Sequence, residues 1–290
     1  MKIVKSIEQM RAASRELRRA GKRLGLVPTM GALHAGHLAL VRAARGQSDA
    51  VCVSIFVNPT QFGPNEDFAK YPRPFEKDRE LLEAEKVDLL FYPAVEEMYP
   101  PGAMTWVEVA EMSGRLDGRS RPGHFRGVTT IVSKLFHAVE PDAAFFGQKD
   151  AAQAAIIRRM VRDLDFDIRI VICPIVREPD GLAMSSRNAY LSPEERKQAA
   201  VLARALNRVQ FHFDQGERRA PELIRIGKKV MAEEPAVKLD YFEVVNPDTL
   251  EPVAEVSKGA LVAVAAFVGA TRLIDNLLLF SGGTPATNPQ

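Results

Sequence analysis

The stretch LVPTMGALHAGH, residues 26–37, decides the fold of this chain. It runs from an apolar segment that predicts a β-strand, through a loop that contains Gly31, into the start of a helix near His37. In an open parallel sheet, ligands bind beyond the carboxyl ends of the strands, where the first amides of a helix attract anions. The stretch therefore predicts an α/β sheet with an anion site at this turn.

The residues up to about 175 repeat this alternation of short apolar runs and amphipathic segments. A parallel sheet with helices on both faces produces such a pattern. The predicted strands are 24–28, 50–58, 87–92, 143–147 and 167–173, and the predicted helices are 37–45, 75–85, 128–139 and 151–164. We therefore expect a Rossmann-like, doubly wound α/β domain over residues 1–175.

A second, smaller α+β domain is predicted for residues 176–290. A polar loop leads to helices that begin near Ser192 and Pro221, and the sequence Ser-Pro-Glu-Glu at 192–195 is a strong helix start. Three apolar runs follow, at 241–246, 261–268 and 271–279, and the turn residues between them predict a small antiparallel sheet. The tail GGTPATNPQ, residues 282–290, is predicted to be disordered.

Composition and charge exclude several classes of protein. The 290 residues are 46% hydrophobic and 26% charged, which is typical of a globular protein. The net charge of +2 lacks the basic excess of nucleic-acid-binding proteins, and no run approaches the roughly 20 apolar residues of a membrane span. Cys52 and Cys173 each lie in a predicted buried strand, so we expect reduced core thiols. These features predict a cytoplasmic protein without a nucleic-acid or membrane partner.

Two of the five histidines, His34 and His37, lie at the predicted helix start. Their spacing of three lets both rings face one ligand from the first helical turn. Gly31 and Gly36 allow the backbone to approach a nucleotide closely, where a Cβ would intrude. Spacing alone leaves open that these are ordinary surface or core histidines.

Two later segments offer further groups for a phosphate. Residues 147–150, Gly-Gln-Lys-Asp, end a predicted strand and open a helix. Lys149 can neutralise a phosphate, and Asp150 either holds a ribose hydroxyl or caps the helix. Residues 184–187, Met-Ser-Ser-Arg, supply two hydroxyls and a guanidinium as donors, although alone they would be an ordinary polar loop.

The motif HxGH at 34–37, preceded by Pro-Thr-Met-Gly, resembles the signature of the nucleotidyltransferase superfamily, which includes the class I aminoacyl-tRNA synthetases. Further motifs resemble, in order and spacing, the pantothenate synthetase (pantoate:β-alanine ligase) family. They are FVNPTQF (56–62), YPR (71–73), HFRGV (124–128), FGQKD (146–150) and MSSRN (184–188). The resemblance covers nearly the whole chain. One departure is Gln148, where the family often has Glu.

This resemblance implies a reaction in two steps. ATP and (R)-pantoate first form pantoyl adenylate and pyrophosphate, and the amine of β-alanine then attacks the acyl carbon, releasing AMP and pantothenate. Because a carboxylate must approach a triphosphate, the site needs cations, amide donors and Mg²⁺. The resemblance also implies a homodimer and a C-terminal domain that closes over the site.

The resemblance further assigns roles to individual residues. His37 corresponds to the family's proposed proton donor, with His34 and Lys149 as further catalytic residues. Gln61 and Gln153 correspond to the residues that recognise pantoate. Asp78 is the candidate Mg²⁺ ligand, although a lysine interrupts this acidic stretch. The implied ATP-binding residues are Met30, Gly31, Ala32, Leu33, His34, Ala35, Gly36, His37, Gly147, Gln148, Lys149, Asp150, Val176, Met184, Ser185, Ser186 and Arg187.

Arg121, His124 and Arg126 form a basic loop with two open interpretations. Either the loop attracts an anionic substrate or orders the cavity, or it is a solvated charged segment.

Four other functions are weighed against the ligase. A class I aminoacyl-tRNA synthetase needs a surface for tRNA, which the near-neutral charge and short chain argue against. A simple nucleotidylyltransferase would not require Gln61 and Gln153 in a second pocket. An NAD-dependent dehydrogenase needs a GxGxxG turn, which the sequence lacks. A nucleotide sensor without chemistry would not require His37, Lys149 and residues 185–187.

Overall fold

The apolar runs of the first half form a parallel sheet in the computed structural model, which describes residues 1–64 and 66–280. The strands of this sheet are β1 (Lys2–Val4), β2 (Leu24–Thr29), β3 (Ala50–Ile55), β4 (Leu89–Phe91), β5 (Ala143–Gly147) and β6 (Arg169–Cys173). The helices that accompany them are α1 (Ile7–Arg19), α2 (Ala35–Arg45), α3 (Phe75–Ala84), α4 (Val95–Met98), α5 (Asp117–Ser120), α6 (His124–Val139) and α7 (Ala151–Asp163).

The strand order is β1-β4-β3-β2-β5-β6, and every pair is parallel. The chain adds β3 and β4 on one side of β2 and then returns to add β5 and β6 on the other. Such a reversal opens a crevice at the carboxyl ends of the two central strands. The topological switch point therefore lies between β2 and β5, where the stretch at 26–37 leaves the sheet.

Alternate residues of the central strands enter two separate cores. In β3, Ala50 and Cys52 pack with α1, α6 and α7, whereas Val51 and Val53 pack with α2 and α3. Because successive side chains of a strand point to opposite faces, a strand that is apolar throughout needs helices on both sides. The doubly wound α/β fold predicted from the sequence is confirmed.

The second half forms an antiparallel sheet packed against helices. Its elements are α8 (Pro193–Ala199), α9 (Val201–Asp214), α10 (Ala220–Met231), β7 (Val237–Val245), β8 (Gly259–Val268) and β9 (Thr271–Phe280). The three strands pair in the order β7-β8-β9, and their apolar residues share one core with the three helices. Ser192 and Glu195 form the reciprocal hydrogen bonds of a capping box at the start of α8. The predicted smaller α+β domain is therefore confirmed.

Internal contacts divide the chain into two compact units. The first comprises residues 1–113, 121–147 and 156–173, and the second comprises 114–120, 148–155 and the chain from Pro174 onward. The main division lies beside the predicted boundary at 175. Two short segments that the prediction placed in the first domain belong to the second unit.

Several details differ from the sequence prediction. β1 was not predicted, because a strand of three residues is too short to show a periodicity. The 13-residue helix α1 was missed although its pattern is amphipathic. The helix expected from Ser192 is two helices, α8 and α9, which meet at Ala200. Strand β3 ends at Ile55, before the predicted end at 58. The predicted disordered tail, 282–290, lies outside the described residues.

Two further sequence predictions concern the cysteines and the membrane. Cys52 and Cys173 are free thiols in the core, as predicted, and burial raises the pKa of Cys52 to about 12. Within the described residues, 1–64 and 66–280, no helix combines the length and apolarity needed to cross a bilayer.

A buried ion-pair cluster joins α5 to the antiparallel sheet. Arg272 of β9 lies 2.7 Å from a carboxylate oxygen of Asp117 and 2.8 Å from one of Asp240. Its side chain is only 16% exposed, and that of Asp117 is 11% exposed. Burial, aided by the charge of Asp117, raises the pKa of the neighbouring Tyr241 well above its ordinary value. The cluster therefore depends on one central cation.

We expect Arg272→Met to destabilise the second unit by about 3–5 kcal/mol, because it leaves two shielded carboxylates without their cation. Arg204→Met is the matched control, since Arg204 is 46% exposed and pairs with Glu234 near the surface. This control should cost at most about 1 kcal/mol. Urea unfolding followed by circular dichroism measures both values, and equal small losses would contradict the assignment.

Candidate active site

The turn that follows β2 lies at the switch point of the parallel sheet. Strand β2 pairs with β3 on one side and with β5 on the other, so Thr29, Ile55 and Gly147 end their strands along the same edge. The loop at 30–34 leaves this edge and enters α2 at Ala35. A helix start at the switch point is where a phosphate-bearing ligand binds in such folds.

Asp78 fixes the conformation of this loop. Its two carboxylate oxygens accept hydrogen bonds from the backbone amides of Ala32 and Leu33, each at 2.8 Å. Gly31 and Ala32 have φ values of 80° and 50°, in the left-handed region. A Cβ on Gly31 would lie 3.0 Å from an oxygen of Asp78 and 3.1 Å from a methyl carbon of Ile55. The loop therefore requires both the glycine and the buried carboxylate.

Burial also changes the acidity of Asp78. The residue is 1% exposed, and desolvation raises the pKa of its carboxyl group although the two amides oppose the shift. Keeping a buried carboxylate ionised costs free energy, and the two amide hydrogen bonds offset part of that cost.

His34 and His37 lie together at the start of α2. The Nδ1 atom of His34 accepts from the amide of Gly36 at 3.1 Å, and Nδ1 of His37 accepts from the amide of His34 at 3.4 Å. These bonds form a capping box built from two imidazoles, whose ring centroids are 4.1 Å apart. Because both Nδ1 atoms accept, the neutral rings carry their protons on Nε2. Each ring can thus cap the helix and donate from its other nitrogen.

Gln61 follows β3 in a short 3-10 helix, Pro59–Gln61. Its side-chain amide donates to the sulfur of Met30 at 3.3 Å and accepts from the Asn58 amide at 3.0 Å. The structure therefore brings Gln61 beside the first residue of the loop after β2. Asn58, which was not predicted as a site residue, orients it.

The basic loop before α6 holds the backbone of Gln61. The carbonyl oxygen of Gln61 accepts from Nδ1 of His124 at 2.8 Å and from the guanidinium of Arg121 at 3.3 Å. Arg121 also pairs with Glu66 at 2.6 Å. Burial opposes ionisation of Glu66, but the bonds from Arg121 outweigh it and lower the pKa of this carboxyl group. Of the two interpretations, the contacts of Arg121 and His124 favour a loop that orders the site.

Close packing of α6 against the same segment requires Gly127. A Cβ at this position would lie within 2.7 Å of three backbone atoms of Thr60 and Gln61. The Asn58 side chain also donates to the carbonyl of Gly127 at 3.1 Å. The position of Gln61 thus depends on α6 as well as on β3.

A cavity of about 180 Å³ opens beside the loop. Met30, Gly31 and Asp78 line one part of it, and Phe56, Phe75 and Tyr92 supply apolar walls. An apolar cavity with few polar groups is typical of a small-molecule site.

In the second unit, residues 148–150 form a 3-10 turn that leads into α7. The Nζ atom of Lys149 lies 3.7 Å from a carboxylate oxygen of Asp150. The side chain of Asn276, from β9, donates to the carbonyl oxygens of Gln148 and Lys149, both at 2.9 Å. Gln153 follows at the third position of α7, where it is half-buried. Asn276 was missed by the sequence analysis.

The loop at 176–187 is also part of the second unit. The amide of Met184 donates to the carbonyl of Val176 at 2.9 Å, so the segment between them doubles back on itself. Ser185 caps a 3-10 helix, Ser186–Tyr190, because its hydroxyl accepts from the amide of Arg187 at 3.2 Å. The predicted residues Val176, Met184, Ser185, Ser186 and Arg187 therefore belong to one ordered loop.

The predicted site residues thus form one group in each unit. In the first unit, the structure brings Gln61 and Asp78 to the loop at 30–37, and Gly147 ends the neighbouring strand β5. In the second unit, β9 contacts the turn at 148–150 through Asn276.

Asp78, the predicted magnesium ligand, braces the loop at 30–34. Both of its oxygens bind backbone amides, and the side chain is shielded from solvent. We therefore assign Asp78 a role in bracing the loop, and its role as a magnesium ligand stays a prediction.

Comparisons with known proteins identify the family of this chain. The family model described as pantoate-beta-alanine ligase matches residues 2–278. The pantothenate synthetase of Koribacter versatilis is 64% identical over 283 residues, which cover 98% of this chain and 97% of that protein. A relative of the same name from Thermotoga petrophila is 57% identical over 279 residues, which cover 96% of this chain and 100% of that protein.

Solved structures show the same similarity. The pantothenate synthetase from Thermus thermophilus superposes with a TM-score of 0.91 at 49% identity, over 96% of this chain and 99% of that one. A pantoate-beta-alanine ligase from Francisella tularensis, complexed with beta-gamma ATP and β-alanine, gives 0.79 at 35% identity, over 96% and 97% of the two chains. With the family model matched almost end to end, this chain belongs to the pantoate-β-alanine ligase family.

Proposed function

We propose that the chain condenses (R)-pantoate with β-alanine to form pantothenate, through a pantoyl-adenylate intermediate. In the first step, a pantoate carboxylate oxygen attacks the α-phosphorus of ATP, and the bond to the leaving pyrophosphate breaks. In the second step, the β-alanine amine attacks the acyl carbon, loses a proton and expels AMP. The observation that carries this proposal is the imidazole pair held at a helix start at the switch point.

The main obstacle to the first step is negative charge. The attacking carboxylate and the triphosphate repel one another, and further charge develops on the leaving pyrophosphate. Fixed donors that are already oriented lower this barrier most effectively. The start of α2 and the Nε2–H groups of His34 and His37 provide such donors in the first unit, and residues 30–37 are proposed to contact ATP.

The second unit is proposed to contribute the remaining ATP contacts. Lys149 supplies a positive charge, and residues 147–150 with Val176 form the proposed nucleotide-binding turn. Ser185, Ser186 and Arg187 supply two hydroxyls and a guanidinium for phosphate oxygens. Closure of this unit over the ATP site is part of the proposal.

Gln61 and Gln153 are proposed to recognise pantoate. A neutral amide both donates and accepts, so it can bind a hydroxyl and a carboxylate oxygen without adding charge. Gln61 suits this role because Asn58, His124 and Arg121 fix its side chain and backbone.

Mg²⁺ is proposed to enter with the nucleotide. Magnesium keeps several waters and binds substrate phosphates together with few protein ligands, so a dedicated carboxylate cage is not required. When bound, it would offset charge on the phosphates. A homodimer, which the resemblance implies, is also part of the proposal. So is a cytoplasmic location, which the two free thiols support.

The reaction is tested by measuring AMP and pantothenate with ATP, Mg²⁺ and (R)-pantoate, with and without β-alanine. We expect continuous AMP release, matched by an equal amount of pantothenate, only when both acids are present. Exchange of pyrophosphate into ATP should need pantoate alone, since it reports the first step. ATP binding without AMP formation would contradict the proposed reaction and favour another acid substrate or a nucleotide sensor.

The donor role of His37 can be separated from its capping role. His37→Asn keeps an acceptor near the position of Nδ1 but has no donor at the position of Nε2, whereas His37→Gln does the reverse. We expect His37→Asn to lower pyrophosphate exchange by about 10²–10³-fold, because a preorganised donor is lost from the transition state. His37→Gln should retain more activity.

His212→Asn is the control for these variants, since His212 lies in α9 of the second unit. It should leave the exchange rate unchanged. Wild-type exchange by His37→Asn would exclude His37 from the chemistry.

Asp78→Asn distinguishes a residue that braces the loop from a metal ligand. The new amide would place an N–H group against the amide of Ala32 or Leu33, so the loop loses one bond and gains a repulsive contact. We expect the KM for ATP to rise about tenfold, while the Mg²⁺ concentration for half-maximal rate stays unchanged. Steady-state kinetics over a Mg²⁺ titration measures both.

Glu76→Gln is the matched control on the same helix, because the side chain of Glu76 is 71% exposed. Neither parameter should change. A large increase in the half-saturating Mg²⁺ concentration for Asp78→Asn would instead support Asp78 as a metal ligand.

A further inference from the structure

Two adjacent polar residues, Asp275 and Asn276, interrupt the apolar strand β9. Each is only 3% exposed. A buried polar side chain costs free energy unless its hydrogen-bonding groups are satisfied, and apolar residues would fill the same positions without that cost. The contacts of the two side chains show what they hold.

Asn276 holds the turn at 148–150 with every polar atom of its side chain. Its Nδ2 donates to the carbonyl oxygens of Gln148 and Lys149, both at 2.9 Å, and its Oδ1 accepts from Nε2 of Gln148 at 2.9 Å. One side chain thereby fixes two consecutive peptide groups and the side chain of the first residue. The backbone from which the Lys149 side chain projects is set by these bonds.

Asp275 holds the other loop of the second unit. Its carboxylate accepts from both terminal nitrogens of Arg177, at 2.6 and 2.9 Å, and Arg177 also donates to the carbonyl of Gly181 at 3.0 Å. Arg177 and Ala183 form a bridge within the loop at 176–187. A bidentate pair of this kind fixes the orientation of the guanidinium as well as its distance.

The two anchors are connected to each other. An oxygen of Asp275 accepts from the backbone amide of Asn276 at 2.8 Å, in addition to the bonds from Arg177. Hydrogen bonds thus connect Lys149 and Gln148, through Asn276 and Asp275, to Arg177. The two ends of this connection are the two segments of the second unit that are proposed to bind ATP.

We propose that Asn276 is a positioning residue for the adenylation step, and that Asp275 couples the turn at 148–150 to the loop at 176–187. The proposal rests on the proposed function, because those two segments are ATP-binding by resemblance. Asn276 touches no reacting atom. Its side-chain amide keeps two carbonyl oxygens directed towards itself. These bonds hold Lys149 at a fixed position relative to the nucleotide.

The test compares Asn276→Ala with Asn246→Ala. Asn246 also holds a turn of the second unit, since its side-chain oxygen accepts from the amides of Asp248 and Thr249 at 2.8 and 3.0 Å. That turn carries no predicted site residue. Both variants lose an asparagine that holds two backbone groups, so a purely structural effect appears in both.

We expect Asn276→Ala to lower kcat/KM for ATP about tenfold in pyrophosphate exchange, with the KM for β-alanine in the complete reaction unchanged. Asn276→Asp should lower it further, because a carboxylate oxygen would then face two carbonyl oxygens. Asn246→Ala should match wild type in both measurements. Thermal unfolding of all variants records any shared loss of stability.

Equal effects of Asn276→Ala and Asn246→Ala on ATP kinetics would overturn the proposal. If the wild-type protein forms no AMP, the proposed function fails, and calorimetric binding of ATP alone decides the positioning role instead. Wild-type ATP affinity in Asn276→Ala would then refute it, whereas an affinity about tenfold weaker would support it.

Coupling is tested with Asp275→Asn alone and combined with Asn276→Ala. Independent anchors would give a combined loss in kcat/KM for ATP equal to the product of the single losses. If Asp275 and Asn276 belong to one connected set of hydrogen bonds, the combined loss is smaller than that product. This is the expected result. A full product would overturn the role of Asp275 in coupling.

Discussion

The buried carboxylate of Asp78 accepts hydrogen bonds from two loop amides, and the candidate site residues of the first unit depend on this interaction. The loop after β2 passes through left-handed backbone at Gly31 and Ala32. That conformation costs about 1–2 kcal/mol for a residue with a Cβ, so it persists only where neighbouring groups stabilise it. Asp78 supplies those bonds, and the chain then enters α2 at the angle that places His34 and His37 together.

The candidate turn of the second unit is held by the opposite hydrogen-bonding pattern. Asn276 donates to carbonyl oxygens of the turn at 148–150, whereas Asp78 accepts from amides of the loop at 30–34. Carbonyl oxygens directed at an anionic ligand would repel it, so turning two of them towards a buried amide suits the proposed role of this turn in phosphate binding. In both cases a side chain far away in sequence fixes a short loop that its own residues cannot stabilise.

The sequence predicted the fold well because the evidence for it is local. Apolar runs, a capping serine at 192 and turn residues between strands specify elements without reference to the rest of the chain, and β5 has the predicted bounds of 143 and 147. The site motifs at 34–37 and 146–150 were equally visible. Asp78 was singled out for a different role, and Asn276 was not singled out at all, because the partner of a buried polar group depends on topology. In the sequence, Asp275 and Asn276 are simply two polar residues in an apolar strand. Nothing local indicates which turn they contact.

The two imidazoles show how a helix cap constrains catalysis. Each Nδ1 accepts from a backbone amide, so the proton of a neutral ring lies on Nε2. Protonation of either ring would place an N–H group against a backbone N–H and break the cap. The cap therefore uses the Nδ1 atom of each ring, and Nε2 is the donor nitrogen. In the proposed reaction, His34 and His37 are oriented hydrogen-bond donors to developing charge, and Lys149 and Arg187 of the second unit are the proposed sources of positive charge.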